Sequence, residues 1–175
     1  SAAALLRHHG WRAGEPWLTE VSVPDGFDWS LSGLHTEQPV ESWAAVGIAP
    51  RTGTLPAGLP ATLLAPQGRK GPAFLAYPNF RVLFEWNQSF TYVLTAAYFA
   101  TRIEGAAPYA AGNPDPALSS DQMEDLQRRL QALGHEVGEI DGILGAGTRD
   151  AVQEEQRRLG LPADAWPTAE LLDAL

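Results

Sequence analysis

Apolar residues near the end of the chain recur at helical spacing. Leu126, Leu130 and Leu133 follow one another at intervals of four and three residues, which places them on one side of a helix. Ser119 and the acidic residues after it suit the start of this helix, and Gly134 suits its end. The pattern therefore predicts a short amphipathic helix between Ser119 and Gly134.

A similar arrangement follows twice more. Thr148 and Thr168 each precede two apolar residues by three and four positions, and we predict that each threonine caps a short helix. The sequence Gln-Arg-Arg-Leu at 127–130 also recurs at 156–159, which we interpret as a near-duplication of helix and loop. Three such helices make a small module with too little core to enclose a reaction centre.

The first hundred residues show shorter and less regular patterns. Residues 17–23 alternate weakly and predict a short strand or an extended arm. The apolar runs 61–65 and 73–77 flank a turn that contains proline and glycine, and they predict a β-hairpin. Residues 39–45 predict a brief helix that ends at Gly47.

Helical patterns return after the predicted hairpin. A helix is expected from Phe80 onward, and Ser89 suits the cap of a longer second helix. The residues predicted to share one face of the second helix are Phe90, Val93, Leu94, Ala97, Tyr98 and Thr101.

Residues 105–117 differ in composition from both neighbours. They contain three prolines, two glycines and five alanines, which is typical of a linker that transmits little strain. We therefore predict three parts, residues 1–104, the linker 105–117 and the module 118–175. The fold class predicted from these patterns is mainly α, or α+β with a short hairpin.

The last segment resembles a wall-binding domain. Its Leu-Gly pair at 133–134, the aspartate, glycines and threonine of 141–148, and the sequence Gly-Leu-Pro-Ala-Asp at 160–164 appear in the order found in the peptidoglycan-binding domain of bacterial wall hydrolases. The resemblance implies a three-helix domain that binds wall polymer beside the Asp141 loop. The residues expected at this groove are Asp141, Gly142, Leu144, Gly145 and Trp166.

Two features of this resemblance leave alternatives open. Gly142 and Gly145 can serve backbone conformation alone, which we favour, while the groove they shape contacts ligand. Glu155 stands where the family usually has an aromatic residue. Because an unpaired charge is costly in a core, we expect either a slightly turned helix or a more solvated face there.

Residues 1–105 resemble a second family. The matching positions are Gly10-Trp11, Gly14, Trp17, Trp43, Gly47, Tyr77, Asn79-Phe80, Trp86-Asn87, Ser89, Tyr92, Arg102-Ile103 and Gly105. They are similar to the end of the catalytic domain of lytic murein transglycosylases of the membrane-bound B type. The resemblance implies the C-terminal part of a lysozyme-like catalytic lobe.

This family cleaves the glycan strand between N-acetylmuramic acid and N-acetylglucosamine without water, leaving a 1,6-anhydro ring. A single glutamate acts as acid and then as base, which requires a pKa raised by an apolar pocket. In the family that glutamate precedes the segment matched by Gly10-Trp11, so we expect this chain to lack it and to be inactive alone. Among local substitutes, Glu85 is expected to face solvent, and Glu104 and Glu41 lie at helix ends.

The resemblance also implies a substrate-binding set. Asn87 matches an asparagine that hydrogen-bonds the sugar or its N-acetyl group, and Trp86 and Tyr92 match aromatic positions that line the cleft. The family more often has tyrosine at the position of Trp86. Tyr77 and Asn79 are candidates of the same set, although an asparagine beside a proline is also a common turn former.

Composition narrows the possible partners. Residues 118–175 carry five basic and twelve acidic side chains, net −7, and residues 1–117 carry seven and nine, net −2, which accounts for the total of −9. Such acidity disfavours nucleic acid. The chain has no cysteine, its histidines lack metal-ligand spacing, and no apolar run approaches the ~20 residues of a membrane span. We predict no metal, no cofactor and no transmembrane segment.

Two functions therefore compete. The chain is either the C-terminal part of a lytic transglycosylase of the periplasm or cell envelope, or a non-catalytic peptidoglycan-binding scaffold. Ser1 begins within a helical pattern and no initiator methionine precedes it, which suggests cleavage or truncation. In the first case the partner of the exposed apolar surface is the missing N-terminal part, present as a separate chain, or a second copy in a homodimer.

Overall fold

The computed structural model describes residues 2–175, which form a first lobe (residues 2–104), a connecting strap (residues 105–117) and a terminal module (residues 118–175). The first lobe is built on a five-stranded sheet. Its strands are β1 (Leu18–Ser22), β2 (Glu37–Pro39), β3 (Ala49–Pro50), β4 (Pro60–Leu64) and β5 (Ala73–Ala76). They lie in the order β2-β4-β5-β1-β3, and all neighbours are antiparallel.

The predicted hairpin and the strand at 17–23 are confirmed as β4–β5 and β1. Leu63 pairs with Leu75, and Leu75 also pairs with Thr19 on the other side. The strands β2 and β3 were not predicted, because three and two residues are too few to show alternation. The fold is therefore α+β with a curled sheet, and the expectation of a mainly α lobe with only a hairpin understated the sheet.

Four helices complete the first lobe. They are α1 (Ala2–His8), α2 (Val40–Ala45), α3 (Pro78–Trp86) and α4 (Phe90–Ile103), and a 3₁₀ turn spans Trp29–Leu31. The predicted helix at 39–45 and the cap at Ser89 are confirmed, since the Ser89 hydroxyl accepts a hydrogen bond from the Tyr92 amide.

The sheet carries an apolar core on each face, as its alternating side chains require. Leu64, Phe74 and Ala76 pack against Phe80 of α3 and residues of α4 such as Val93. The opposite face, which includes Leu63 and Leu75, packs against the fully buried Trp43 of α2. Because α3 and α4 share the first core, the junction between them is held in a fixed position.

The terminal module contains three helices, α5 (Ser120–Ala132), α6 (Ala146–Arg158) and α7 (Ala169–Ala174). Ser119 and Gln122 form a reciprocal capping box at the start of α5, and Gly134 follows its end with φ +97°. A small apolar core joins the helices, with Leu126, Leu130, Val152 and Leu171 fully buried. The predicted three-helix module is confirmed in this respect.

Thr148 does not cap a helix, contrary to prediction. Helix α6 begins earlier, with Gly145 as its cap. A Cβ at Gly147 would lie 2.7 Å from the Glu136 carbonyl oxygen, so that only glycine allows this close approach. Thr148 is instead fully buried, and its hydroxyl donates to the Val137 carbonyl at 3.2 Å. Thr168 does cap α7, accepting a hydrogen bond from the Leu171 amide. The two threonines are therefore not equivalent.

The strap has no helix or strand, but it is not a loose linker. The Ala110 amide donates to Glu20 Oε1 at 2.8 Å, and the Asn113 amide donates to the Lys70 carbonyl at 2.8 Å. Trp166 Nε1 of the terminal module donates to the Asp115 carbonyl at 3.0 Å. These contacts correct the expectation that residues 105–117 leave the two parts independent.

Direct contacts also join the first lobe to the terminal module. Gln153 Nε2 donates to the carbonyl oxygens of Trp29 and Ser32 at 3.2 and 2.9 Å, from a position that is itself buried. The Arg69 amide donates to Asp164 Oδ2 at 2.9 Å. Since buried polar groups are costly when unpaired, these hydrogen bonds oppose separation of the two parts.

Candidate functional site

The junction of α3 and α4 presents two aromatic rings beside an asparagine. Trp86 is 49% exposed and Tyr92 51% exposed, and their ring centroids lie 5.9 Å apart at an interplanar angle of 51°. Asn87 ends α3, and its Oδ1 accepts a hydrogen bond from the Ser89 amide at 2.8 Å. The structure thus brings together the three residues that the sequence pattern grouped, and we call them the aromatic face.

This arrangement suits a sugar polymer. Exposed rings offer flat apolar surfaces against which the C–H faces of sugars can stack. The hydrogen bond from Ser89 fixes the Asn87 carbonyl oxygen, and the side-chain NH₂ makes no hydrogen bond with the described residues, 2–175. A donor therefore remains available beside the rings for a sugar hydroxyl or an acetamido oxygen.

Tyr77 and Asn79 lie elsewhere. Asn79 is fully buried, where its Oδ1 accepts from the Arg12 amide at 2.8 Å and its Nδ2 donates to the carbonyls of Arg12 and Glu15 at 2.8 and 2.9 Å. Tyr77 is also buried, and burial raises its pKa against a smaller opposing effect of the Thr19 hydroxyl. Both residues hold the lobe together, which corrects the expectation that they lie at the substrate surface.

The carboxylates considered as substitute acids are all exposed. Glu85 lies near the end of α3, Glu104 follows α4, and Glu41 lies in the first turn of α2. Glu41 Oε1 accepts a hydrogen bond from the Gly58 amide at 2.7 Å, which lowers the pKa of Glu41. None of the three occupies the apolar pocket that a catalytic acid with a raised pKa requires.

Two buried glutamines organise the loops of the terminal module. Gln127 accepts hydrogen bonds from the amides of Asp141 and Gly142 at 3.1 and 3.0 Å and donates to the Ile143 carbonyl at 3.1 Å. In both loops an aspartate Oδ1 accepts from the amide two residues later, Asp141 from Ile143 and Asp164 from Trp166. The Asp141 loop is thus held from inside by the first glutamine of the repeated Gln-Arg-Arg-Leu sequence.

The second glutamine repeats this clamp. Gln156 accepts from the Ala165 amide at 2.9 Å and donates to Asp164 Oδ1 and the Trp166 carbonyl at 3.1 and 3.0 Å. Ala165 adopts φ +60°, a conformation that L-residues adopt at a cost, and the clamp fixes it. The repeat noted in the sequence could have identified both glutamines, but an isolated sequence does not show that they are buried.

The residues predicted for the wall-binding groove divide between two places. Gly142, Leu144 and Trp166 line a cavity of about 530 Å³ between the terminal module and the first lobe, whereas Asp141 and Gly145 do not line it. Trp166 is half-buried. We call this the interlobe cavity. Its other walls include Pro66, Phe74, Phe90, Leu94 and Tyr98 of the first lobe and Tyr109 of the strap.

Comparison with known proteins decides the family. Residues 1–101 match the transglycosylase SLT domain, and residues 119–175 match the peptidoglycan binding domain. The chain belongs to the SLT transglycosylase family. No curated protein sequence matches the chain significantly.

Two solved structures are similar to this SLT transglycosylase chain over nearly its whole length. Both are crystal structures of SltB3 from Pseudomonas aeruginosa, one in complex with NAG-anhNAM-pentapeptide and one with NAG-NAM-pentapeptide. In each case the identity is 42%, the TM-score is 0.81, and the match covers 98% of this chain and 48% of the SltB3 chain. This chain therefore spans about half the length of SltB3.

The position at which the terminal module departs from the peptidoglycan-binding pattern does not lie on a solvated face. Glu155 is buried, and its two oxygens accept from His135 Nε2 at 2.8 Å and Arg158 Nε at 2.7 Å. Burial acts to raise the pKa of Glu155, but the hydrogen bonds from Arg158 and His135 outweigh it, so the pKa lies below its usual range. The two partners explain how the core accepts a charge.

Histidines and acidic residues do not converge elsewhere. Within residues 2–175 no group of three or more potential ligands could hold a metal ion, and no helix is long and apolar enough to cross a membrane. His35 pairs with Asp150 of the terminal module at 2.9 Å, which adds an exposed contact between the two parts.

Proposed function

We propose that this chain is part of a lytic murein transglycosylase that cleaves the bond between N-acetylmuramic acid and N-acetylglucosamine and leaves 1,6-anhydro ends. The observation that carries the proposal is the aromatic face. Trp86, Asn87 and Tyr92 form an exposed sugar-binding surface on a lobe of the SLT transglycosylase family. A peptidoglycan binding domain in the same packed unit supports peptidoglycan as the polymer.

In this proposal the chain positions the glycan and does not supply the acid. The rings of Trp86 and Tyr92 hold sugar units, and Asn87 orients one of them through its side-chain NH₂. The glutamate that protonates the leaving oxygen and then takes the proton of the 6-hydroxyl lies outside this chain. The exposure of Glu85, Glu104 and Glu41 supports that assignment, because none of them lies in an apolar pocket of the kind that such an acid requires.

Location and partners follow from the substrate. Peptidoglycan places the protein in the periplasm or cell envelope. The remainder of the enzyme, as another segment or another chain, or a second copy, then covers the apolar surface of α4, where Phe99 and Ile103 are 63% and 72% exposed. We propose residues 1–104 as the C-terminal part of the catalytic domain, 105–117 as the linker and 118–175 as the peptidoglycan-binding domain.

The alternative is a non-catalytic peptidoglycan-binding scaffold, which the exposed carboxylates also favour. The two functions are separated by a chimera in which the part of SltB3 that this chain does not match is joined to this chain. We expect the chimera to release 1,6-anhydro products from purified peptidoglycan, detected by mass spectrometry, and this chain alone to release none. A scaffold would leave the chimera inactive although folded.

A matched pair of variants tests the aromatic face itself. Trp86→Ala removes one of the two stacking rings and should weaken binding of an N-acetylglucosamine tetramer several-fold, since such ring contacts contribute about 1 kcal/mol. Phe99→Ala, on a still more exposed ring of α4, should leave binding unchanged. Equal losses in the two variants would show that the sugar does not bind at Trp86.

A further inference from the structure

A buried arginine lies at the contact between the terminal module and the first lobe without a close carboxylate. Arg149 of α6 is only 8% exposed, and within residues 2–175 no acidic oxygen lies within 4.0 Å of it. Its Nη2 donates to the Pro66 carbonyl at 2.8 Å, and its Nε has no hydrogen-bond partner. The guanidinium carbon lies 4.4 Å from the centre of the Phe90 ring.

The carboxylate that attracts Arg149 is already engaged. Asp164 attracts Arg149 electrostatically, but its oxygens accept hydrogen bonds from the Arg69 amide, Gln156 and the Trp166 amide. Burial lowers the pKa of Arg149 to about 10, with Asp164 opposing the shift, so the side chain remains a cation at neutral pH. A guanidinium has five N–H donors, and a buried charge is costly unless it is paired and hydrogen-bonded.

The guanidinium lies in the wall of the interlobe cavity. Pro66 and Phe90, the two residues it contacts, both line this cavity, and so does Arg149 itself. The other walls include aromatic rings in mutual contact, with Tyr98 and Tyr109 at 4.9 Å between centroids and Phe74 and Tyr109 at 6.2 Å. The cavity of about 530 Å³ is therefore mainly apolar with one cation. That combination and size are typical of a small-ligand site.

We propose that the interlobe cavity binds a short peptide through a free carboxylate, with the carboxylate on Arg149 and the peptide's apolar groups against the rings of Phe74, Tyr98 and Tyr109. Arginine pairs with carboxylates through two parallel hydrogen bonds, which supplies the acceptors that this guanidinium lacks. A neutral sugar chain would leave the charge unpaired. Identifying the peptide as a peptidoglycan stem peptide rests on the proposed function.

The test uses the full 175-residue chain and three probes in isothermal titration calorimetry. They are a muramyl pentapeptide with free carboxylates, the same molecule with its carboxylates converted to amides, and a peptide-free N-acetylglucosamine tetramer. We expect the free pentapeptide to bind, with affinity that falls as salt is added, and the amide form to bind at least about tenfold more weakly.

Two variants locate the site. Arg149→Gln should weaken pentapeptide binding about tenfold or more, and Thr95→Trp should block it by filling the cavity from the exposed side of α4, where Thr95 lines the wall. Both should bind the sugar tetramer normally. If Arg149→Gln fails to fold, the pentapeptide affinity of Thr95→Trp tests the location of the site by itself.

The proposal is overturned if the pentapeptide does not bind, if its amide form binds equally well, or if Thr95→Trp leaves its affinity unchanged. None of these results depends on whether the sugar tetramer binds at Trp86. They are therefore distinguishable from failure of the proposed transglycosylase function, which would appear as an inactive chimera.

Discussion

The first lobe and the terminal module use their polar residues in opposite ways. The first lobe is held by a sheet and two apolar cores, with few polar side chains buried, and it leaves Trp86 and Tyr92 exposed. The terminal module has one small core and buries many polar side chains. These are Gln127, Thr148, Arg149, Gln153, Glu155, Gln156 and Asp164. A module too small to be stabilised by apolar burial alone gains order from hydrogen bonds.

The buried polar side chains of the terminal module have two kinds of hydrogen-bond partner. Gln127 and Gln156 hold the module's own loops, whereas Arg149 and Gln153 reach across to the first lobe. The conformation of the terminal module therefore depends on its contacts with the first lobe as well as on its own sequence. The terminal module is not structurally independent of the first lobe. The side chains that contact the first lobe, Arg149 and Gln153, lie on α6, and α6 also contributes to the core of the module.

The largest effect is expected from removing a docking group. Gln153→Leu leaves the carbonyl oxygens of Trp29 and Ser32 without their donor, and each buried group left unpaired costs about 1–3 kcal/mol. Urea denaturation should show a free energy of unfolding lower by about 2 kcal/mol or more. Hydrogen exchange should show that amides of α6 open before those of the sheet.

Gln131→Leu is the matched control, because Gln131 is exposed on α5. It should change the free energy of unfolding by less than about 0.5 kcal/mol. Equal effects of the two variants would mean that the contacts of Gln153 do not stabilise the docked arrangement.

A smaller and pH-dependent effect is expected inside the terminal module. The pKa of Glu155 is lower in the folded chain than the value of about 4.3 expected when unfolded, so the contacts of its carboxylate with Arg158 and His135 stabilise the fold above pH ~4.3. That contribution should fade as pH falls through the folded pKa. Glu155→Gln should lower the free energy of unfolding at pH 7 by about 1–3 kcal/mol and flatten its pH dependence below pH ~4.3.

Glu139→Gln changes an exposed carboxylate of the same module and serves as the control. Its unfolding should follow that of the unaltered chain at every pH. The claim that hydrogen bonds from His135 and Arg158 stabilise the buried Glu155 carboxylate would fail if Glu155→Gln unfolded like this control in acid. Binding of the sugar tetramer at Trp86 should be unaffected in both.

Much of the local structure could be predicted because its signals are local. The Ser89 cap, the Ser119 start of α5, the hairpin β4–β5 and the helix end at Gly134 each depend on a few neighbouring residues. The proximity of Trp86, Asn87 and Tyr92 also follows from local sequence, because the three lie within seven residues and share one helix junction.

The errors concern contacts between distant residues. Asn79 looked available because its partners, Arg12 and Glu15, lie more than sixty residues earlier. Glu155 looked unpaired because His135 comes from another segment, and Thr148 looked like a cap because its buried acceptor, the Val137 carbonyl, precedes it by eleven residues. The strap looked flexible by composition, yet its backbone amides are held by the first lobe. A composition rich in alanine, proline and glycine predicts a flexible segment only if the rest of the protein makes no hydrogen bonds with that segment.

The most direct test of the account is whether the two parts move as one body. ¹⁵N relaxation of the intact chain measures the rotational correlation time separately for amides of residues 2–104 and 118–175. The docked structure predicts the same correlation time for both, and a shorter one for the terminal module in Gln153→Leu. A distinctly shorter correlation time for residues 118–175 in the unaltered chain would contradict the shared cavity and restore the picture of two independent parts.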